Sequence, residues 1–427
     1  MAIISDSSLA IIKATAPVVK ENAEKITTTF YPKLLGRHPD LFRYFNESNQ
    51  REGTQARAFG DILSGSRCGG PKKSSTQQAK TLADAIVAYA VNIEHLENLS
   101  EAVGRMCHKH AALGIQPADY QIVHDNLMEA IGEVLGDAVT AEVAAAWSEA
   151  VMALAKICIQ TEAQLYEQAA ETQWSGVREF VIAELINETD EIKSIRMKPT
   201  DGKGTCPYQP GQYISVYEKP AGKEYFAPRH YTVTSQSGDD YYQVSVKKMV
   251  VGDFQGIMSH CMHSKKVGDK VQLGPVFGPP PLKMADDKSR VAAFVSVGVG
   301  ITATISMLPT AINEISRVAV FHGDASPKTM AFKRYLEDVV PNTKGGLLDI
   351  HFSHESVESP YVSEGRLTGQ KIIDALDKEQ IDYQNGVDFF LCAGNTATPS
   401  INNELLEAGV SKERIHLEFF GPFITPE

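Results

Sequence analysis

Four short segments of this chain carry residue types suited to moving a hydride. Arg229-His230-Tyr231-Thr232 joins a cation, an aromatic ring and a hydroxyl. The forked guanidinium matches a pyrophosphate, Tyr231 can stack on an isoalloxazine, and Thr232 can hydrogen-bond its edge. Gly298-Val299-Gly300-Ile301-Thr302-Ala303 follows the apolar run VAAFVSV and leads into a helical pattern. Glycines there let a pyrophosphate approach the backbone, and a helix N-terminus attracts its charge. Cys392-Ala393-Gly394 closes a later strand, and Glu418-Phe419-Phe420-Gly421-Pro422 lies near the end. In this order they form an apparatus for passing a hydride from NADH or NADPH to a flavin. Each has a plainer reading. The first is a four-residue pattern, made specific by PGQY at 210–213 upstream. The second is not the full GxGxxG fingerprint and also suits a tight turn in any α/β domain. A buried cysteine at a strand end is common.

A second kind of chemistry is suggested in the first part of the chain. His108 and His110 lie two residues apart in the helical stretch 102–113, which puts them about 200° apart. Val103, Met106 and Cys107 share the side of His110, and His108 is expected to point outward. An imidazole on an apolar face can be an axial ligand for haem iron or a core histidine bonded to a carbonyl. Glu162 lies on the apolar stripe of a later helix. A buried polar group without a partner costs about 2–7 kcal/mol, so Glu162 needs one. Tyr120 is a candidate, and a His–Tyr–Glu cluster would raise the basicity of an iron ligand. Otherwise Glu162 caps or salt-bridges something at the bundle edge. Tyr31 and Gln78 could hold O2 by hydrogen bonds, with Leu82 sharing the face of Gln78. Tyr31 and Phe45 also suit a plain core.

The elements that must position these residues follow from periodicity. Up to about residue 170 the apolar spacing is helical, as in Leu82, Ile86, Tyr89 and Ile93, and again in Tyr120, Val123, Leu127, Ile131 and Val134. Helices are expected near 24–35, 76–93 and 118–135, followed by a long last helix that carries Trp147, Val151, Leu154, Cys158 and Leu165. The segment SGSRCGGPKKSS at 64–75 is turn-rich and reads as a solvated loop. From about 173 to 287 short alternating runs separated by Gly and Pro predict an antiparallel barrel. From about 288 strands and helices alternate, including a helix over TMAFKRYLEDVV, as in a parallel doubly wound sheet. The fold class expected is therefore multi-domain: an all-α domain at 1–172, a β-barrel at 173–287 and an α/β domain at 288–427.

Composition narrows the class further. The 427 residues allow two or three domains, with 43% hydrophobic and 22% charged residues, as in globular proteins. A net charge of −12 disfavours nucleic acid and anionic lipid as partners. Cys68, Cys107, Cys158, Cys206, Cys261 and Cys392 contain no CxxC, which argues against a disulfide framework or a cysteine-held metal. Neither a signal peptide nor a membrane-length apolar run is evident, so a cytoplasmic protein without membrane insertion is expected.

Taken together, the chain resembles the flavohaemoglobins over nearly its whole length. The globin part is similar through Phe30-Tyr31, YFNESNQ at 44–50, Lys109-His110, Tyr120 and Glu162. The remainder is similar to ferredoxin–NADP+-reductase-like modules through PGQY, RHYT, GVGIT and EFFGP. The resemblance implies haem b held by His110, with Tyr120 and Glu162 behind it. It implies Tyr31 and Gln78 on the O2 side with Leu82 over the haem, and Phe45 in the pocket. FAD would contact Tyr213, Arg229-His230-Tyr231-Thr232 and Glu418-Phe419-Phe420-Gly421-Pro422, with Glu418 between flavin and haem edge. The nicotinamide would meet Gly298–Ala303 and Cys392. The implied activity is nitric oxide dioxygenase: electrons pass from NAD(P)H through FAD to haem, and nitric oxide with O2 leaves as nitrate. A monomer is expected. Two other readings fit parts of the pattern: a ferric-haem or quinone reductase, and a gas-binding haem sensor without turnover. The chain departs from the family at Thr302-Ala303 (Thr-Pro), at Cys392-Ala393-Gly394 (Cys-Gly-Pro) and at Gln255 (Ser). An insertion between Asn49 and Gln78 leaves Gln55 with Phe59 as an alternative to Gln78.

Overall fold

The structure is a computed structural model that describes residues 4–45, 77–220, 222, 224–251, 254–279, 290–394, 396–418 and 420. Gln55, Phe59, the 64–75 segment, Phe419, Gly421 and Pro422 lie outside these, and of Gln78 only the backbone is described. The chain divides into two compact units. One is Met1–Gly176 with Tyr217–Arg229 and Met249–Met258; the other is Val177–Val216, His230–Lys248 and Ser259–Glu427.

In the first unit the helical periods become α1 (Asp6–Arg37), α2 (Gln77–Val91), α3 (Ser100–Leu113), α4 (Pro117–Leu135) and α5 (Ala141–Thr172). Their apolar stripes meet in one core that includes Ile26, Phe30, Tyr31, Leu127, Ile131 and Trp147, with Phe45 and Leu82 packed against it. The caps are local. Ser5 accepts from the Ser8 amide and Thr140 from that of Val143, which satisfies first-turn N–H groups. α3 stops at Gly114, whose φ of 78° is left-handed and open to glycine. Three residues on, Pro117 opens α4, and the Gln116 and Asp119 side chains cap each other's backbone. This tight corner brings Tyr120, in the first turn of α4, back to the end of α3.

Beyond Gly176 the period becomes two. Strands β1 (Arg178–Asn187), β2 (Ile192–Pro199), β3 (Tyr213–Glu218), β4 (Ala227–Thr232), β5 (Tyr242–Lys247) and β8 (Lys270–Phe277) form one sheet in the order β4-β3-β8-β1-β2-β5. A bridge from Val233, just past β4, to Val244 on β5 joins the two edges, so the sheet closes on itself and leaves no free edge there. The pair β6 (Val250–Val251) and β7 (Phe254–Gln255) and helix α6 (Ile257–Ser264) lie between β5 and β8 in sequence.

The last part is a six-stranded parallel sheet. Its strands are β9 (Val291–Val297), β10 (Arg317–Asp324), β11 (Leu347–Phe352), β12 (Val362–Glu364), β13 (Val387–Cys392) and β14 (Ile415–Glu418), in the order β12-β11-β10-β9-β13-β14. Helices α7 (Ile301–Glu314), α8 (Lys333–Val339), α9 (Gly369–Lys378) and α10 (Ala397–Glu407) connect them. The sheet is covered by two apolar cores, one around Phe294, Leu308 and Ile350 and one around Phe321, Ile372 and Phe389. Burial on both sides explains why these strands read as continuous apolar runs. The strand order reverses between β9 and β13, where open α/β sheets place their ligands. One helix differs from expectation. The stretch TMAFKRYLEDVV is helical only from Lys333, because Phe332 takes a φ of 57°, which a helix cannot continue through.

Candidate functional site

The corner between α3 and α4 and the packing of α5 bring three side chains to one point. His110 Nδ1 lies 2.9 Å from the Tyr120 hydroxyl and 2.9 Å from Glu162 Oε1. The Tyr120 hydroxyl itself donates to Glu162 Oε1. A phenol has one proton to give, so toward His110 its oxygen can only accept. The proton therefore sits on Nδ1, shared between the two oxygens, and the Nε2 lone pair is left for a ligand. This tautomer is fixed by the network around the ring. Glu162 is 2% exposed, so its partners remove the cost of burying it. Burial, then the charges at Cys158 and Glu162, push the Tyr120 hydroxyl far above its usual range, so it remains a phenol that can donate. The His110 side chain keeps 30% of its exposure, enough for a bulky group to reach the free nitrogen.

Tyr31 is buried beside Phe30 and Phe45, with ring centroids 4.9 Å and 5.7 Å away, both edge-on. Leu82 packs on the same core. The expectation that His108 faces water fails. It is partly buried, and desolvation lowers the affinity of its ring for a proton.

In the second unit, Tyr213 on β3 stacks on His230 at 5.0 Å. Tyr213 is 8% exposed, and its hydroxyl has no hydrogen-bond partner among the described residues. Burial and then the Glu418 charge hold that hydroxyl protonated. The ring lies against Gly278, where a Cβ would come within 2.9 Å of it and where φ is 117°. Gln212 Nε2 donates to the Gly278 carbonyl at 2.5 Å. Thr232 is buried and Tyr231 partly so. Arg229, grouped with the first unit, directs Nη2 to the Phe45 carbonyl at 2.9 Å and Nη1 to that of Pro228 at 2.6 Å.

At the switch point, Gly298 has a φ of 57° and open space where a side chain would stand. Gly300 is the opposite case: a Cβ there would lie 2.1 Å from the Cys392 carbonyl oxygen. α7 and β13 thus touch through a position that only glycine fits. Thr302 donates to the Val299 carbonyl at 3.0 Å, while Ile301 and Ala303 are buried. Cys392, buried at the end of β13, pairs with Ser296 on one side and Glu418 on the other. Burial and then Glu418 push its thiol well up. The Glu418 charge thus acts on both the Tyr213 hydroxyl and the Cys392 thiol. Phe420 is exposed.

Sequence reasoning missed Ser306 on α7. Its hydroxyl accepts the Gly211 amide of PGQY at 2.8 Å and ties the barrel to the parallel sheet. It also missed Gly278, against which the Tyr213 ring lies. The only signal in the sequence was that Gly278 follows a strand.

Comparison with known proteins supports this architecture. Residues 71–158 match the globin family. Flavohemoprotein A of Dictyostelium discoideum is 34% identical over 430 residues, covering 98% of this chain and 98% of its own. The flavohemoglobin of Malassezia yamatoensis, solved with FAD and heme bound, superposes with a TM-score of 0.78 at 23% identity, over 98% of this chain and 100% of that one. The Flavohem-like-FAD/NAD binding domain of nitric oxide dioxygenase from Vibrio cholerae O1 biovar El Tor gives a TM-score of 0.50 at 30% identity, over 57% of this chain and 99% of that one. Identity at the level of the Dictyostelium protein, over nearly all of both sequences, means that this chain belongs to the flavohaemoproteins, oxidoreductases in which a globin is joined to a reductase module.

Proposed function

We propose that this protein is a NAD(P)H-dependent nitric oxide dioxygenase, with haem b in the 1–172 domain, FAD in the 173–287 barrel and NADH or NADPH at the 288–427 domain. The observation that carries the proposal is the His110 ring, held at Nδ1 by Tyr120 and Glu162 and open at Nε2. That donor chemistry suits a haem iron. The orphaned Tyr213 hydroxyl and the close approach at Gly300 suit a flavin and a dinucleotide. When bound, the flavin would take a hydride and release electrons singly, and the haem would use them in the reaction of O2 with nitric oxide.

The chain's own residues supply position and polarity. Glu162, accepting from both His110 and Tyr120, puts negative charge behind the ring and makes Nε2 a stronger donor. Tyr31 and Gln78 would orient O2, while Leu82 and Phe45 keep its side apolar. Tyr213, His230, Tyr231 and Thr232 would bind the flavin, with Arg229 and the segment Glu418, Phe419, Phe420, Gly421 and Pro422 completing its contacts. Gly298, Val299, Gly300, Ile301, Thr302 and Ala303, with Cys392, would admit the nicotinamide. The protein would work as a cytoplasmic monomer; among the described residues no helix is long and apolar enough to cross a membrane.

Purified protein should show a haem absorbance band that shifts from ferric to ferrous as NADH bleaches the flavin without oxygen. It should then consume nitric oxide in air. A flavin that bleaches with no haem band would leave a flavin reductase instead. A second expectation concerns Tyr213→Phe. Removing a buried hydroxyl that lacks a partner should stabilise the flavin-free protein by up to about 1–3 kcal/mol. The same change should weaken FAD binding about tenfold, the loss of one net hydrogen bond. Calorimetry of the flavin-free form and FAD titration read the two signs separately; loss of stability in both forms would refute the assignment.

A further inference from the structure

His110 lies in the last turn of α3, which ends at Leu113. The last four carbonyls of a helix have no helical N–H to accept, so this turn is where a helix frays. A side chain suited to hold iron therefore stands on the least secure backbone of its helix. The chain closes that turn with donors of two kinds. The first are local amides. Ile115 N–H donates to the His110 carbonyl at 3.1 Å, and Gly114 N–H to that of Ala111 at 3.0 Å. The second are phenols from other elements. The Tyr217 hydroxyl, on β3 and grouped with the first unit, donates to the Ala112 carbonyl at 3.0 Å. The Tyr166 hydroxyl, on α5, donates to the Ile115 carbonyl at 2.7 Å. Ala112 is 1% exposed, so its carbonyl has little access to water as a substitute donor.

The surroundings fit these two bonds. Tyr166 follows Glu162 by four residues, so both project from one face of α5. Glu162 holds the His110 ring at 2.9 Å, and Tyr166 holds the backbone just beyond it. A Cβ at Gly114 would lie 3.4 Å from the Tyr217 oxygen, so the bare corner leaves room for the phenol. Burial, then the charge at Tyr44 for Tyr217 and at Glu162 for Tyr166, pushes both hydroxyls above their ordinary range. Both remain protonated and able to donate.

We propose that Tyr217 and Tyr166 are positioning residues for His110, clamping the last turn of α3 so that Nε2 is presented to iron at one height. The proposal rests on the reading of His110 as the haem ligand. Tyr120 and Glu162 fix how the imidazole is turned; the two phenols fix where its backbone stands. Their effect is therefore on the bond between imidazole and iron.

The test uses the full-length, haem-loaded protein, reduced with dithionite without oxygen. Two quantities are read: the iron–histidine stretching band in the resonance Raman spectrum, and the rate at which haem passes to excess apomyoglobin. Tyr217→Phe keeps the ring and removes only the donor. It should lose haem about tenfold faster, the loss of one net hydrogen bond, and its iron–histidine band should broaden and move to lower wavenumber. Tyr166→Phe should behave alike, and it carries the test if Tyr217→Phe does not fold. The control is Tyr242→Phe, which removes a hydroxyl that donates to the Cys206 carbonyl at 3.1 Å on β5, away from α3. It should lower Tm by a similar amount and leave both haem quantities at the parent values. A folded Tyr217→Phe protein with the parent band and haem-loss rate would overturn the proposal. So would a Tyr242→Phe protein that matches it, since general loosening would then explain the change. A parent protein that binds haem without an iron–histidine band would instead refute the His110 reading, and the clamp with it.

Discussion

His110→Ala should abolish haem retention and nitric oxide consumption while NADH still bleaches the flavin at its normal rate. On the proposed reading, one imidazole nitrogen would carry the whole attachment. Nδ1 is committed to Tyr120 and Glu162 at 2.9 Å each, so only Nε2 can bind iron. Losing a partner behind a metal ligand typically costs 10–100-fold in affinity or activity; losing the ligand itself should exceed about 100-fold on that scale. The alanine also leaves Glu162, 2% exposed, with Tyr120 as its remaining partner at this point. Some loss of stability in the helical unit is therefore expected as well. The decisive comparison is the haem band and nitric oxide uptake against flavin reduction in the same sample. If nitric oxide uptake survived in His110→Ala, the haem site would lie elsewhere. If flavin reduction failed too, the substitution would have acted through folding.

Gly300→Val should remove NADH-driven flavin reduction and destabilise the parallel-sheet domain. A Cβ at Gly300 would stand 2.1 Å from the Cys392 carbonyl oxygen and 2.8 Å from its carbon. Both are backbone atoms, so no side-chain rotation relieves the clash. α7 must lift from β13, at the point where the strand order reverses. Overpacking of this kind costs about 1–3 kcal/mol and occasionally more. For a domain of this size that is a fall of about 2–4 °C in Tm for each kcal/mol. Gly298 provides the control. Its Cβ would meet nothing within 4 Å, and only its φ of 57° is unfavourable, a strain of roughly 1–2 kcal/mol. Gly298→Ala should fold nearly as well as the parent and lose mainly nicotinamide affinity. Calorimetry and the NADH dependence of flavin bleaching distinguish the two variants. A Gly300→Val protein with the parent Tm and KM would show that the strand and helix are not held in contact.

Most of the elements were legible because their signals are local. Amphipathic spacing marked α2, α4 and α5, and apolar runs bounded by turns marked β9, β10 and β13. Of the two exceptions, the first has a local cause that the pattern did not expose. α8 is cut short at Phe332 because one residue turns left-handed. His108 was expected outside because angle alone placed it opposite His110. Burial depends on what packs there, which a single helix does not record.

The sequence by itself determined the two periodicities, the order of helical, barrel and parallel-sheet parts, and the candidate chemistry of His110, Tyr213 and the 298–303 turn. Those depend on neighbours along the chain. Tertiary structure decided which atoms face one another. His110 and Glu162 are 52 residues apart, and Gly211 and Ser306 are 95 apart. Such contacts follow from how whole faces pack, and packing is a collective result of burial that no short segment encodes. The same holds for Gly300: the turn it sits in suggested a glycine, but the Cys392 carbonyl that forbids anything larger arrives from a strand about ninety residues later.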